Sequence, residues 1–301
     1  LQRLGEIEYS GKYEIIVVDN NSSPELYGPI FNEYPGVIGI SQPAGGKSTA
    51  LNTGIEQSNG EIIAFIDDDV LVPMGWLDRV ARCFERNDVH ASAGLILPQS
   101  LDADSEILFE RHVSFNRGFK RLEFGPGFFY DDSWHAVPVW NVGAGANLII
   151  RRSILEETGP LCELLGPGTA TYSAEDAYII YKVAKSGHTI IYDPDICVTH
   201  NHRNSKCKLY LQLYHYGVGM VSFQLITLFR DGDFRALKFL LIDQPVHHFR
   251  RLFGGKKYPL NMLFAEVVGN AVAPVSLIRA CITSLLNNKE SAGTEVKSTG
   301  Q

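Results

Sequence analysis

The stretch that most constrains this chain is residues 61–74, EIIAFIDDDVLVPM. Ile62, Ile63, Ala64, Phe65 and Ile66 form a short apolar run, the pattern of a strand buried on both faces. It runs directly into Asp67, Asp68 and Asp69. Carboxylates this close repel one another, and desolvation at the end of a buried strand adds to the cost. A hard divalent cation, which takes oxygen ligands, relieves both. The C-terminal ends of strands in open α/β sheets are also where ligands bind. The competing reading is a solvated acidic loop with an Asp capping a helix.

Similar punctuation recurs along the first 200 residues. YEIIVV at 13–18 reads as another buried strand and ends in Asp19-Asn20-Asn21-Ser22-Ser23-Pro24, a turn leading into a helix over about 24–34. Val37 to Ile40 is a third strand. Gly45-Gly46-Lys47-Ser48 opens a helix carrying Ala50, Leu51 and Ile55 at helical spacing. It is not a phosphate loop of the GxxxxGK[ST] type, because position 41 is Ser, but a Gly-rich helix start can still approach an anion. Pro73 and Gly75 precede a helix with Trp76, Leu77, Val80 and Phe84 on one side. ASAGLILP at 91–98 is a strand, and 99–140 reads as a long irregular excursion of the kind that carries substrate contacts. NVGAGANLII at 141–150 combines glycines that permit close approach with an apolar strand. A helix follows over 173–187, with Glu175 and Asp176 in its first turn, where the dipole favours acids. Thr189–Tyr192 and Ile196–His200 read as two strands about a turn at Asp193-Pro194-Asp195.

Charge is divided along the chain. Residues 1–200 hold 14 Lys and Arg against 28 Asp and Glu, whereas 201–257 hold 10 against 3. The basic part is rich in aromatics and leads into the apolar 259–286, which carries Glu266, Pro274 and Arg279. A span needs about 20 mostly apolar residues, so this segment is marginal or interfacial rather than a clear crossing. The pairing of basic and apolar stretches points to an anionic bilayer surface. Residues 287–301 are polar and read as a disordered tail. Five scattered cysteines with no CxxC pair suggest neither a disulfide framework nor a zinc site and fit a reducing compartment. The polar opening LQRLGEIEYSGKYE is not a signal peptide.

The order of these pieces resembles the family 2 glycosyltransferases with the GT-A nucleotide-sugar-binding fold. The resemblance rests on VVDNNS at 17–22, GKSTALNTGI at 46–55, IDDD at 66–69, GAGANLIIRR at 143–152, SAEDAYIIYKVAKSGHTIIYDP at 173–194 and VTH at 198–200. It implies a three-layer α/β/α sandwich with a mixed, mostly parallel central sheet over 1–204. A helical, membrane-associating extension over 205–286 and the tail at 287–301 would follow. It implies that Asp19 contacts the nucleotide base and that Asp67 binds the ribose or the metal's water shell. Asp69 and His200 would hold Mn2+ or Mg2+ on the donor diphosphate, and Asp176, with Glu175 beside it, would be the catalytic base. Lys47, Asn52, Asp68, Gly145 and Asn147 complete the expected nucleotide-sugar contacts.

The function implied is transfer of one sugar, with inversion, from a nucleotide-diphosphate sugar to a hydroxyl of a glycan or lipid-linked acceptor. UDP is the expected nucleotide. The expected setting is the cytoplasmic face of the cell membrane, with no nucleic-acid partner. The Gln-x-x-Arg-Trp motif of the processive polymerases is not found, which favours single transfer. The family's opening strand is not found ahead of Leu1 either, so truncation is expected there. That feature keeps open an inactive binding subunit. A sugar nucleotidyltransferase is the other alternative, though its Gly-rich N-terminal loop is not seen.

Overall fold

A computed structural model describes residues 8–20, 33–34, 36–254 and 258–298, with side chains up to 287. The helix expected over 24–34 lies almost wholly outside the described residues, as do Lys256 and Lys257. The elements run β1 (Ile15–Asn20), β2 (Val37–Gln42), α1 (Lys47–Gln57), β3 (Ile62–Ile66), β4 (Val70–Leu71), α2 (Trp76–Phe84), β5 (Ala91–Pro98), α3 (Asp104–His112), β6 (Leu122–Phe124), α4 (Gly127–Tyr130) and β7 (Asn147–Arg151). They continue as α5 (Arg152–Thr158), α6 (Glu175–Lys185), β8 (Ile190–His200), α7 (Lys206–Asp231), α8 (Arg235–Lys238), α9 (Gln244–Phe253) and α10 (Leu260–Ser298).

The sheet is mixed, as expected, but the parallel pairs are in the minority. Six strands run in the order β3-β7-β5-β8-β4, with β6 on β8. Among the described residues, only β5–β8 is parallel within it. β1 and β2 pair in parallel as a separate two-stranded sheet. The two short strands expected over 189–200 are one strand. Against β5 the register jumps between Gly94 and Leu95, whose partners are Asp193 and Cys197, so the Asp-Pro-Asp segment is a bulge inside β8 rather than a turn.

Side-chain alternation along β7 sets the layers. Leu148 and Ile150 face a core shared with Tyr178, Ile179 and Tyr181 of α6. Ile149 faces the opposite core, with Trp76, Val80 and Phe84 of α2. Phe223 and Ile226 of α7 belong to the first core. A boundary drawn at residue 204 therefore cuts through one packed interior. The excursion at 99–140 is more ordered than its composition suggested, holding α3, β6 and α4. α10 also continues to Ser298, through residues expected to be disordered; Lys, Glu and Ala there are good helix formers.

α10 crosses α7 at two glycines. A Cβ on Gly217 would stand 2.5 Å from the Glu266 carbonyl oxygen, and one on Gly269 would stand 2.2 Å from that of Tyr214. Backbone cannot yield as a side-chain tip does, so even a methyl group forces the helices apart. Gly269→Ala is expected to cost about 1–3 kcal/mol by overpacking, read as a lower denaturation midpoint. Gly125→Ala, in open space, is the control expected to leave it unchanged. Equal midpoints for the two would show that the crossing tolerates separation.

Candidate active site

β3 ends in a turn closed by the Val70 N–H donating to the Asp67 carbonyl at 3.3 Å. β4 then pairs with the end of β8, and the Asn201 N–H donates to the Asp69 carbonyl at 3.0 Å. The acidic turn is thereby pinned beside His200. His200 Nε2 lies 3.2 Å from Asp69 Oδ1, and Arg203 Nη1 lies 3.8 Å from Asp69 Oδ2. Burial works against the charged form of Asp69, but positive charge placed between it and His200, with Arg203 beyond, outweighs this and holds the carboxyl below its usual range.

Lys47, the first residue of α1, joins this turn to the first turn of α6. Its Nζ is 2.5 Å from Asp67 Oδ1 and 3.2 Å from Glu175 Oε1. Burial alone would lower the Lys47 pKa; the charges of Glu175 and Asp67 reverse this and hold it above the ordinary value. Glu175 is almost fully enclosed, and burial pushes its carboxyl up to about 7, with Lys47 opposing and Asp176 adding to the rise.

Asp176 turns the other way, into the cavity. Its Oδ2 accepts the Gly145 N–H at 2.7 Å, and its Oδ1 accepts the Ala177 N–H at 2.7 Å. A carboxylate retains further acceptor capacity after two such bonds. The chain reaches it through a strained approach: Tyr172 and Ala174 have φ of 64° and 75°. Each such non-glycine residue costs about 1–2 kcal/mol. Packing fixes the turn, with the Ser173 hydroxyl donating to the His215 carbonyl of α7 at 2.9 Å.

These groups share one cavity of about 1330 Å³, lined by Lys47, Asp67, Asp69, Asp176 and His200 and, from the far side, by α9. α9 is amphipathic in the reverse of the usual sense. Gln244, His247, His248 and Arg251 line the cavity. Val246, Phe249, Leu252 and Phe253 are exposed, Phe249 and Phe253 by 63% and 69%.

Other expected contacts fall elsewhere. Asp68 is exposed and does not line the cavity. Asp19 is the penultimate residue of β1, outside the cavity lining, next to Asn20, whose Oδ1 accepts the Gly46 N–H at 2.9 Å. Asn52 and Asn147 need correcting. The Asn52 amide donates to the Leu161 carbonyl at 3.1 Å and accepts the Leu161 N–H at 2.9 Å, so it fastens α1 to the loop beyond α5. Asn147 is fully buried and donates to the Leu95 and Ile196 carbonyls, at 3.3 and 2.8 Å, where the β8 bulge breaks the ladder. Neither amide points to a ligand. Arg203 was missed; its only sequence signal is a position three residues beyond His200.

Comparison with known proteins bears on the family and the fold. The model of a family described as Glycosyl transferase family 2 matches residues 2–159. Glycosyltransferase AglE of Haloferax volcanii is 26% identical over 193 residues, covering 63% of this chain and 57% of its own. A beta-monoglucosyldiacylglycerol synthase of Trichormus variabilis is 36% identical over 97 residues, covering 30% of this chain and 21% of its own. The chain thus spans little more than half of the first relative and about a fifth of the second. Among solved structures, S. aureus TarS (residues 1–349) superposes with a TM-score of 0.52 at 14% identity, covering 90% of this chain and 75% of that one. That likeness is one of fold, the GT-A sandwich.

The raised Glu175 pKa has a thermodynamic consequence. A carboxyl that holds its proton more tightly folded than unfolded contributes stability that is complete below its ordinary value near 4.5 and lost as pH rises through about 7. Glu175→Gln cannot lose that proton. The melting temperature of the variant, relative to wild type, is expected to be higher at pH 8 than at pH 5. A difference independent of pH would show that Lys47 fully compensates the buried charge.

Proposed function

The chain belongs to glycosyl transferase family 2, and on that premise we propose that it transfers one sugar, with inversion, from a nucleotide-diphosphate sugar to an acceptor hydroxyl. UDP is the nucleotide favoured here. The observation that carries this proposal is the single cavity in which Asp67, Asp69 and His200 face Asp176, with Lys47 tying the two groups together.

On the donor side, Lys47 and Asp67 would contact the diphosphate and ribose, and Asp69 and His200 would hold the cation. The donor set suits one. Asp69 Oδ1 and His200 Nε2 form a close oxygen–nitrogen pair, a set that favours Mn2+ over the strictly oxygen-seeking Mg2+. Among the described residues no cluster of three such ligands occurs, so the donor and water supply the remainder. When bound, the cation stabilises the charge that develops on the departing diphosphate.

On the acceptor side, Asp176 receives the proton of the attacking hydroxyl. The Gly145 and Ala177 N–H groups fix its orientation, so no rotamer search precedes the transfer. One base opposite one leaving group gives a single displacement, hence inversion. The outer face of α9 and its continuation in α10 supply attachment to the cytoplasmic face of an anionic membrane. Leu260–Asn287 of α10 is long and apolar enough to cross a bilayer, and 28% of its most apolar window is buried in the protein. Exposed apolar surface of this extent next to basic residues suits a lipid interface. A glycan or lipid-linked acceptor reaches the cavity from that side.

Asp176→Asn keeps the carbonyl that accepts the Gly145 N–H but cannot take a proton. Transfer to acceptor is expected to fall about 10²–10⁴-fold, with folding and nucleotide binding intact. Near wild-type transfer by this variant would remove Asp176 from the role. For the membrane, the triple change of Phe249, Leu252 and Phe253 to Glu, all exposed on α9, leaves the cavity side of the helix untouched and is expected to reduce sharply the sedimentation with anionic vesicles. Wild-type protein that stays in the supernatant at low salt would refute the attachment.

A further inference from the structure

His202 and Glu110 have no part in the transfer as described, yet they continue the line that begins at Asp69. His200 Nδ1 lies 3.0 Å from His202 Nδ1, and His202 Nε2 lies 2.7 Å from Glu110 Oε1. The two imidazoles are both buried, only 6% exposed each. Phe109 packs on the ring of His202 at 4.6 Å and Phe115 on that of His200 at 5.4 Å. Glu110 is itself fixed by the Ser114 hydroxyl, which donates to Oε2 at 2.8 Å.

The row has three gaps: Glu110 to His202, His202 to His200, and His200 to Asp69. Each gap brings two lone-pair-bearing atoms together, so each requires one positive hydrogen or cation between them. Two neutral imidazoles carry two N–H protons. The Glu110 carboxylate claims the first for His202 Nε2. His202 Nδ1 is then a bare acceptor, and it draws the second to His200 Nδ1. His200 Nε2 is left bare, facing the Asp69 carboxylate at 3.2 Å. That unfilled gap is where a cation belongs. A histidine that ligates a metal through one nitrogen commonly donates its other N–H to an outer partner, which fixes the tautomer and raises the basicity of the ligand.

We propose that Glu110 and His202 are positioning residues that hold His200 in the Nδ1–H form, with Nε2 presented to the divalent cation shared with Asp69. This rests on the metal proposed above. The relay joins α3 to the end of β8, so the excursion at 99–140 contributes to the donor side of the site. Neither residue touches the cation; both act through His200.

The test uses Mn2+ alone, with free ion counted by electron paramagnetic resonance over the full chain. His202→Phe keeps an aromatic ring against Phe109 and Phe115 but offers no acceptor, and it is expected to weaken Mn2+ binding about 10–100-fold. His202→Asn places its amide oxygen where Nδ1 stood and is expected to recover most of the affinity. Thermal denaturation of each variant checks that folding is retained. A merely structural His202 would leave Phe and Asn variants equal, and unchanged Mn2+ affinity in His202→Phe would overturn the relay alone. Wild-type binding that survives Asp69→Ala, or no binding at all, would overturn the metal site and the relay with it.

Discussion

The ammonium of Lys47 between Asp67 and Glu175 is the contact on which the rest of the site depends. Three parts of the chain far apart in sequence meet there: the start of α1, the end of β3 and the first turn of α6. Each brings a charge that is costly to bury singly. Removing one partner of such a group typically costs about 3–5 kcal/mol, because the others are left uncompensated. The same arrangement keeps an acidic cavity wall compact before any donor binds. Under the proposed function, a diphosphate arriving with its cation would bring both signs of charge, so an exchange of Asp67 for the ligand at Lys47 would leave no net charge buried.

Much of this was legible in the sequence, and what was not has identifiable causes. The acids at 67–69 and 175–176 were legible because carboxylates at the end of an apolar strand and in the first turn of a helix are unusual enough to mark a site. β1, β3, β5, β7 and α6 were legible from their periodicity. Asn52 and Asn147 were placed with the ligand by resemblance alone; whether an amide meets a ligand or a backbone carbonyl depends on burial and distant partners that no local pattern signals. The bulge in β8 was read as a turn because Asp-Pro-Asp is good turn chemistry, and tertiary pairing with β5 overrode it. The Glu110–His202 contact spans 92 residues, and no local pattern signals it.

α9 inverts the rule that soluble helices obey. Its cavity face carries Gln244, His247, His248 and Arg251, and its outer face carries exposed apolar side chains. Arg251 is tied to Glu266 of α10 at 2.5 Å, and Tyr258 donates to the same carboxylate at 2.6 Å. Arg251 and Tyr258 thus find a shared acceptor inside, and apolar groups are left to whatever lies outside. A helix built this way is favoured by water on its cavity side and an apolar medium on the other, which is what the proposed attachment would supply. An interfacial position fits better than full burial in either medium, since full burial would strand one face.

The C-terminal helices consequently differ from a detachable anchor. α7 supplies Phe223 and Ile226 to the main core and the His215 carbonyl that holds the strained turn ahead of Asp176. α10 lies against α7 at Gly217 and Gly269 with no clearance for a methyl group. The surface proposed to meet the bilayer is therefore two close contacts away from the proposed base. One set of helices closes the cavity, braces the turn that aims Asp176 and presents the apolar face. A displacement of α10 by the bilayer would have to be absorbed either at the glycine crossing or at the Ser173 turn, because neither contact has free space between them.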